Sequence, residues 1–411
     1  MSLAAYVMLG LFFVWMVFGV PIGHAMLMAG IVYLLMTGQD LAIVATQSLN
    51  GMFSSFVLMS VPLFILSADI MNASKITDRL FEFANLLVGR LRGGLAHVNV
   101  VASVIFSGMS GSALADAAGP GKLEVDMMVK AGYKPGFAAA VSTTSAIVGP
   151  IIPPSIPMVL YGVVSNTSIG YLFMAGVIPG LLLSAAQMAV IAAMAKRRNF
   201  PVEPRPTRAH AIATVKSTLP ALFLPVILLG GIYSGAVTPT EAAAVAAAYA
   251  LILALVWYRS LPLRKLVDVF VESARSTAIV AITIAGALVM NWVVASEQIP
   301  EALGAWMISL DMSPAMFLFA VNVLFLILGC FLDTLLMLLV IVPILMPAVT
   351  GLGAFRRHHH HQHDDRAGDA ADGAIDVPDL RRVGHPSRRD HARGLDLPGR
   401  AHCPSLCPGL D

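Results

Sequence analysis

Charge is scarce in this chain. Of 411 residues only 12% are Asp, Glu, Lys or Arg, about half of what a soluble domain carries. Cysteine is scarcer still. Cys330, Cys403 and Cys407 are the only three, and their spacing builds neither a disulfide framework nor a zinc site. The apolar segments hold just two histidines, His24 and His97, far apart in sequence, with no HExxH or GxSxG pattern. A membrane-embedded enzyme built on a metal or a nucleophile–base pair is therefore disfavoured. Gly119-Pro-Gly-Lys122 lacks the full phosphate-loop pattern and a following Ser or Thr, so it reads as a turn and not a nucleotide site. The net charge of +2 carries no nucleic-acid signature.

What is present is apolar sequence. Hydrophobic residues make up 57% of the chain and the mean hydropathy is +0.80. Apolar segments lie at 4–37 (two helices broken at Pro21-Ile-Gly23), 44–71, 95–129, 136–164, 168–195, 217–236, 240–258, 276–297 and 314–350. Runs of this length predict an all-α polytopic membrane protein. The first run lacks a basic leader, so it reads as a membrane segment and not a cleaved signal. Basic residues cluster at Lys75–Arg92, Lys196–Lys216 and Arg259–Arg275. The positive-inside rule puts these stretches in the cytoplasm. The 298–313 stretch holds Glu301 and Asp311 without Lys or Arg, which suits the opposite face.

Segment 95–129 is then constrained. Arg90 and Arg92 precede it and Lys130 and Lys134 follow it. Both ends are cytoplasmic, yet the segment is too short for two full spans. Its middle reads Ser107-Gly-Met-Ser-Gly-Ser-Ala-Leu-Ala-Asp116-Ala-Ala-Gly-Pro120. A re-entrant helical hairpin fits; the alternative is one long helix ending in a cytoplasmic loop at Asp116–Lys122. A second break, Gly149-Pro-Ile-Ile-Pro-Pro-Ser-Ile-Pro157, interrupts 136–164. Irregular backbone survives at membrane depth only where protein or water satisfies it, and such breaks point to a transporter's binding site. Residues 75–92 are amphipathic, with Ile76, Leu80, Phe83, Leu87 and Leu91 at helical spacing. They read as an interfacial arm bracing the hairpin or as an ordinary surface helix. Residues 260–275 make a weaker case of the same kind.

A sparse internal repeat links two regions. The first runs from Phe106 through Asp116 to Pro153-Pro154. The second begins at Leu328-Gly-Cys-Phe-Leu-Asp333-Thr-Leu and continues through Val342-Pro-Ile-Leu-Met-Pro347. They enter from opposite faces, as an inverted repeat requires. From Ala354 the composition changes abruptly to a His-, Arg-, Asp- and Pro-rich tail. A tag, or a metal-binding or disordered tail, is one explanation. A shift of reading frame near residues 353–354 is another. Moved forward by one base, consecutive His codons read Ile or Thr, and Ala354–Gly373 becomes compatible with an apolar span ending in Thr-Pro-Pro. The restored Pro-Pro would start 37 residues after Asp333, the spacing that separates Asp116 from Pro153.

Three blocks carry a family resemblance: Ser107–Asp116, Lys130-Ala-Gly-Tyr-Lys-Pro-Gly-Phe-Ala-Ala-Ala140 and Gly149–Met158. Together with Gly329–Pro347 they resemble the large membrane subunit of TRAP (tripartite ATP-independent periplasmic) transporters. The likeness covers about residues 1–353, and the 130–158 block is its most specific part. After 353 the family's second Thr-Pro-Pro break and last spans are not found. The resemblance implies the ion-transporter-superfamily fold, with inverted repeats, re-entrant hairpins, and a scaffold plus an elevator-type transport domain. It implies import of an organic acid (C4-dicarboxylate, sialic acid or similar) driven by sodium, with no other cofactor, across the bacterial inner membrane. A periplasmic substrate-binding protein and a small membrane subunit are the implied partners. A stand-alone sodium–carboxylate symporter of the same superfamily is the alternative.

The expected division is scaffold helices at 1–72, an arm at 73–92 and a first transport repeat at 93–195, with its hairpin at 95–129 and broken helix at 136–164. A basic loop and further scaffold helices follow at 196–275, an incomplete second repeat at 276–353 and an out-of-frame, disordered tail at 354–411. A carboxylate needs donors and positive potential, which half-helix N-termini supply. The expected substrate residues are Ser107, Gly108, Ser110, Gly111, Ser112, Asp116, Pro153, Pro154 and Ser155. Each serine is either a ligand or back-bonded to its own helix. Sodium prefers oxygen ligands, expected from Ser112, Thr143, Thr144, Ser145, Gly149 and Pro150. A symmetry-related site is expected at Gly329, Asp333 and Thr334. Asp116 and Asp333 are functional carboxylates in apolar surroundings or helix caps. Asn291 and Asn322 read as cross-helix hydrogen-bonding residues, and Glu241 as a helix start with Thr240 near its cap.

Overall fold

The computed structural model describes residues 2–74, 76–198, 200, 207–302, 305, 313–329, 332, 334–343 and 345. Asp333 and the 354–411 tail lie outside these. The described residues are helical, with no strand among them. Among the described residues five helical stretches are long and apolar enough to cross a bilayer: Phe56–Ala73, Ile169–Arg197, Arg208–Tyr233, Pro239–Trp257 and Leu263–Ser296. This is the all-α polytopic architecture that the hydropathy predicts.

The chain opens with α1 (Leu3–Val17) and α2 (Ile22–Thr37), broken at Pro21 as expected. Next come α3 (Ala42–Ser54), a 3-10 turn over Phe56–Met59, and α4 (Ser60–Ala73). After the hairpin region described below, α11 (Ile169–Arg198) and α12 (Arg208–Tyr233) cross the molecule. Then α13 (Pro239–Ile252) continues as a π turn over Leu253–Trp257, and α14 (Leu263–Ser296) follows. Helix α13 starts on a capping box. Thr238 and Glu241 satisfy each other's backbone donors, so Thr238 is the cap, and Thr240 instead donates to the Phe56 carbonyl at 3.2 Å.

Helix α14 packs along α2, α3 and α4, and α4 packs on α13. The approach of α2 and α14 requires small residues. A Cβ at Gly23 would lie 2.8 Å from the Thr283 nitrogen, so any side chain there would push the two backbones apart. α14 is one continuous helix of 34 residues. Two expectations therefore fail: the arm-like segment at 260–275 does not form separately, and the 275/276 boundary falls inside a helix. Its N-terminal half carries charge on an exposed face, and the surface pattern was mistaken for a separate element.

The amphipathic segment at 75–92 forms α5 (Ile76–Val88). Its buried face is Ile76, Thr77, Leu80, Phe81 and Ala84, whereas Leu87 and Leu91 are exposed. The buried stripe is thus rotated from the expected one, because α5 is covered by α12 as well as by the hairpin helix α6 (Gly94–Ser110). The Arg79 guanidinium lies 4.3 Å from the Tyr258 ring centroid, a cation–π contact. Thr218 of α12 donates to the Arg79 carbonyl at 3.2 Å.

At its far end α14 is tied to the start of the chain. The Ser2 backbone N–H donates to Glu297 Oε2 at 2.7 Å, the Ser2 hydroxyl to Oε1 at 2.5 Å, and the Tyr33 hydroxyl to Oε1 at 2.9 Å. The side-chain bond from Ser2 is the main cause holding the Glu297 carboxyl below the ordinary glutamate range, with the Ser2 backbone bond adding to it. A depressed folded value means that the stabilisation is full above the unfolded glutamate pKa. It is lost as pH falls through the lower folded value. The protection of amides at the start of α1 against hydrogen exchange, taken relative to the intrinsic exchange rate at each pH, is therefore expected to fall on acidification in the wild type. In Glu297→Gln that protection is expected to be lower at neutral pH and nearly constant over the same range.

Candidate functional site

The first break is a hairpin. α6 runs in and ends at Ser110; α7 (Ala113–Ala118) and α8 (Pro120–Lys130) run back. The return is antiparallel. Asn99, near the start of α6, lies 4.0 Å from Met128 Sδ near the end of α8. Ala102 and Phe106 line a small cavity with Pro120, Leu123 and Glu124. One long helix ending in a loop is excluded by this register. Helix α9 (Pro135–Ala146) packs on both arms, and its chain breaks before α10 (Ile156–Ser165).

The two breaks meet. Gly111 closes α6 in the left-handed region at φ 61°, a conformation that glycine adopts without a Cβ penalty. A Cβ there would also run into the Pro154 carbonyl oxygen and come within 2.8 Å of Ser155 Cα. The Ile156 N–H donates to the Gly111 carbonyl at 3.3 Å. On the other side, a Cβ at Gly149 would lie 3.3 Å from the Ala113 nitrogen and from the Ser112 carbonyl carbon. The hairpin tip is seated in the break of the next helix, so each supplies cover for the other's irregular backbone. Pro153–Pro154 is a cis bond within this break. Pro225, inside α12, would sit 3.4 Å from a Cβ at Gly108, which brings α12 to the same level.

Two helix starts converge here. Ser112 caps α7, accepting from the Ala115 N–H at 3.3 Å. Ser155 caps α10, accepting from the Met158 N–H at 3.3 Å while donating to the Pro150 carbonyl at 2.5 Å. Two helix ends converge as well, from α6 at Gly111 and from α9 beyond Ala146. Exposed carbonyls and N–H groups at one place suit a cation and an anion respectively.

The expected residues divide. Gly108, Gly111, Ser112, Gly149, Pro153, Pro154 and Ser155 gather at the crossing, with Pro150 bonded to Ser155. Ser107 is back-bonded to the Ser103 carbonyl at 2.5 Å. Ser110 is fully buried, and its hydroxyl has no partner among the described residues. Thr143 and Thr144 are exposed and donate to the Ala139 and Ala140 carbonyls of their own helix, so their hydroxyls do not join the crossing. Asp116 does not cap its helix; Ser112 does. The Asp116 carboxyl is 1% exposed, and both oxygens lack a partner among the described residues.

In the second region α15 (Pro314–Leu328) ends at Gly329, and helix resumes at Thr334 and runs into a π turn over Met337–Ile341. That turn packs on α10, and the Asn291 amide donates to the Leu339 carbonyl at 2.8 Å, the cross-helix role expected of it. Asn322 is exposed. Gly329 and Thr334 are exposed.

Sequence reading missed two residues. Asn99 links the hairpin to α9. Its amide donates to Ser142 at 2.5 Å and accepts from Ser145 at 2.6 Å, all three buried. An amide alone in the run Val98-Asn-Val100 was the available signal. Glu124 is 1% exposed. Its turn-spaced neighbours Pro120 and Met128 mark a buried face that the surrounding Lys122, Asp126 and Lys130 disguised.

Gly132 also has a left-handed φ, 93°, but open space around it. Gly132→Ala should cost about 1 kcal/mol of backbone strain. Gly111→Ala should cost that plus about 1–3 kcal/mol for overpacking. Thermal unfolding of both variants in detergent compares the two; equal losses would argue against the seated tip.

Comparison with known proteins agrees with this architecture. The family model described as "Tripartite ATP-independent periplasmic transporter, DctM component" matches residues 9–361. The chain is 43% identical to a sialic acid TRAP transporter large permease protein of Vibrio cholerae, over 82% of this chain and 78% of that one. It is 41% identical to a C4-dicarboxylate TRAP transporter large permease protein of Pseudomonas aeruginosa, over 72% and 70%. It is 37% identical to a 2,3-diketo-L-gulonate TRAP transporter large permease protein of Escherichia coli, over 85% and 83%. These relatives are permease subunits and not enzymes. The chain belongs to the DctM component family: it is the multi-pass large permease of a tripartite ATP-independent periplasmic transporter.

Proposed function

We propose that this permease imports an organic acid across the bacterial inner membrane, coupled to sodium entry. The crossing of the hairpin tip with the α9–α10 break carries the reading. Capped N-termini at Ser112 and Ser155 offer donors to a carboxylate, while the ends of α6 and α9 and the Pro150 region offer carbonyl oxygen to sodium. The relatives' named substrates, sialic acid, C4-dicarboxylate and 2,3-diketo-L-gulonate, all present a carboxylate, which supports the class and leaves the choice among acids to the binding protein. A periplasmic substrate-binding protein delivers the acid, a small membrane subunit enlarges the scaffold, and the hairpin region moves against that scaffold as an elevator. Gly329, Asp333 and Thr334 belong to a second ion site. Its closing Thr-Pro-Pro is encoded in the shifted frame beyond residue 353.

Uptake of labelled acids into vesicles holding the frame-restored permease and its partners tests the reading. A sodium gradient is expected to drive uptake. Ser112→Ala removes a cap worth about 1 kcal/mol and is expected to lower the rate roughly five-fold; Asp116→Ala is expected to abolish it. Uptake that needs no binding protein would favour the stand-alone symporter. Resequencing the coding DNA around codons 353–354 tests the frame: a one-base discrepancy is expected, and a verified intact frame refutes this part.

A further inference from the structure

Glu124 has no role in the reading above. It sits on α8, the returning hairpin arm, at 1% exposure, and its Oε1 has no hydrogen-bond partner among the described residues. The side chains around it are apolar or neutral. It borders a cavity of about 10 Å³ with Thr77, Leu80 and Phe81 of α5 and Ala102 and Phe106 of α6, room for about one water. Asp116, the nearest acid, is itself 1% exposed with two unpartnered oxygens. The Ser103 hydroxyl faces Asp116 from α6 but stands outside hydrogen-bonding geometry, buried and unpartnered.

Among the described residues no cation balances the pair. On α8 itself, Lys122, Asp126 and Lys130 are exposed. On α5, Asp78 and Glu82 are exposed and Arg79 is engaged over Tyr258. On α6, His97 lies more than a turn from Ala102 and Phe106. Helix α9 has no titratable side chain. The one ion pair among the described residues, Arg275–Glu272, is on the surface. Two neighbouring carboxylates in such a place cannot both hold a charge, because burial and mutual repulsion act together. The group with fewer polar neighbours takes up a proton. Asp116 has Ser103 before it and the start of α7 behind it; Glu124 has only Thr77 and the cavity.

We propose that Glu124 is a proton-binding site between the hairpin arms, occupied at neutral pH, so that the hairpin holds this residue as a neutral acid. This goes beyond the sodium and carboxylate reading and does not depend on it. A proton at this place lets the acid lie against α5 and α6 without a counter-ion, and leaves Asp116 as the one charged carboxylate near the tip.

Infrared spectroscopy of the full chain in lipid nanodiscs at neutral pH tests the proposal without any transport assay. The wild type is expected to show the carbonyl band of a protonated carboxylic acid. Isotope-labelled glutamate is expected to shift that band, Glu124→Gln to remove it, and the exposed control Asp126→Asn to leave it unchanged. Raising the pH is expected to lower the thermal stability of the wild type relative to Glu124→Gln, because the folded state must then surrender a proton it prefers to keep. A wild type without the band, or a band indifferent to labelled glutamate, overturns the proposal. So does a Glu124→Gln protein that melts lower at every pH in the presence of sodium, the result expected of a charged sodium ligand. If the variant does not fold, the labelled wild-type spectrum alone decides.

Discussion

Backbone that leaves a helix inside a membrane must find partners there, and that requirement organises this molecule. The hairpin tip at Gly111–Ser112 and the break at Gly149–Ser155 each have ends that water cannot easily reach. They solve the problem together. Ile156 bonds back to Gly111, Gly149 lets the Ser112–Ala113 backbone come close, and Ser112 and Ser155 close the starts of the helices that leave. The same contacts that satisfy the breaks leave donors and acceptors concentrated at one point. Structure and site are therefore not separate achievements here: a chain that folds this way has already gathered the groups that can hold an ion and an acid.

Around that point lie two packed groups. One is the large core of α1–α4 with α12–α14, which also takes in Phe106 and Met109 of α6 and the buried face of α10. The other is a smaller core in which Phe81, Ala84, Leu95, Val98, Met128, Ala138 and Ile191 close the hairpin arms with α5, α9 and α11. Helix α5 reaches both, through Leu80 and Ile76 on one side and Phe81 and Ala84 on the other. It packs along α12, where Thr218 donates to the Arg79 carbonyl, and the Arg79 guanidinium also lies over Tyr258, just past the π turn that ends α13. Pro225 touches the hairpin at Gly108. The two groups are joined along α5, α6 and α10, since Phe106, Met109, Val159 and Leu160 also enter the large core.

Much of this was legible beforehand. Hydropathy located the helices, and the flanking Arg90, Arg92, Lys130 and Lys134 turned segment 95–129 into a hairpin, because charge cannot be hidden in lipid. The glycines and prolines placed both breaks to within a residue or two. Period alone could not reveal which side of α5 is covered, since Phe83 and Leu87 have the same apolar character as Phe81 and Ala84, and only the position of α12 decides between them. Thr143 and Thr144 looked like ligands because hydroxyls stood near a break, but a threonine inside a helix has the carbonyl four residues back as a ready partner. Glu124 was concealed among residues that truly are exposed. The site's outline lay in the residues that interrupt the helices; its interior polar groups, Asn99 and Glu124, depend on which faces meet.

Helix α14 has a geometric implication of its own. At about 1.5 Å per residue, 34 residues make a rod of roughly 50 Å. The hydrocarbon layer is about 30 Å thick, so the rod outreaches it by about 20 Å if upright. Its start holds Arg264, Lys265, Asp268, Glu272 and Arg275, which is where the surplus belongs. The far end, at Glu297, is anchored to Ser2 and Tyr33. A stiff rod anchored at one end and longer than the hydrocarbon layer turns a small tilt at the anchor into a displacement of several ångströms at its charged tip.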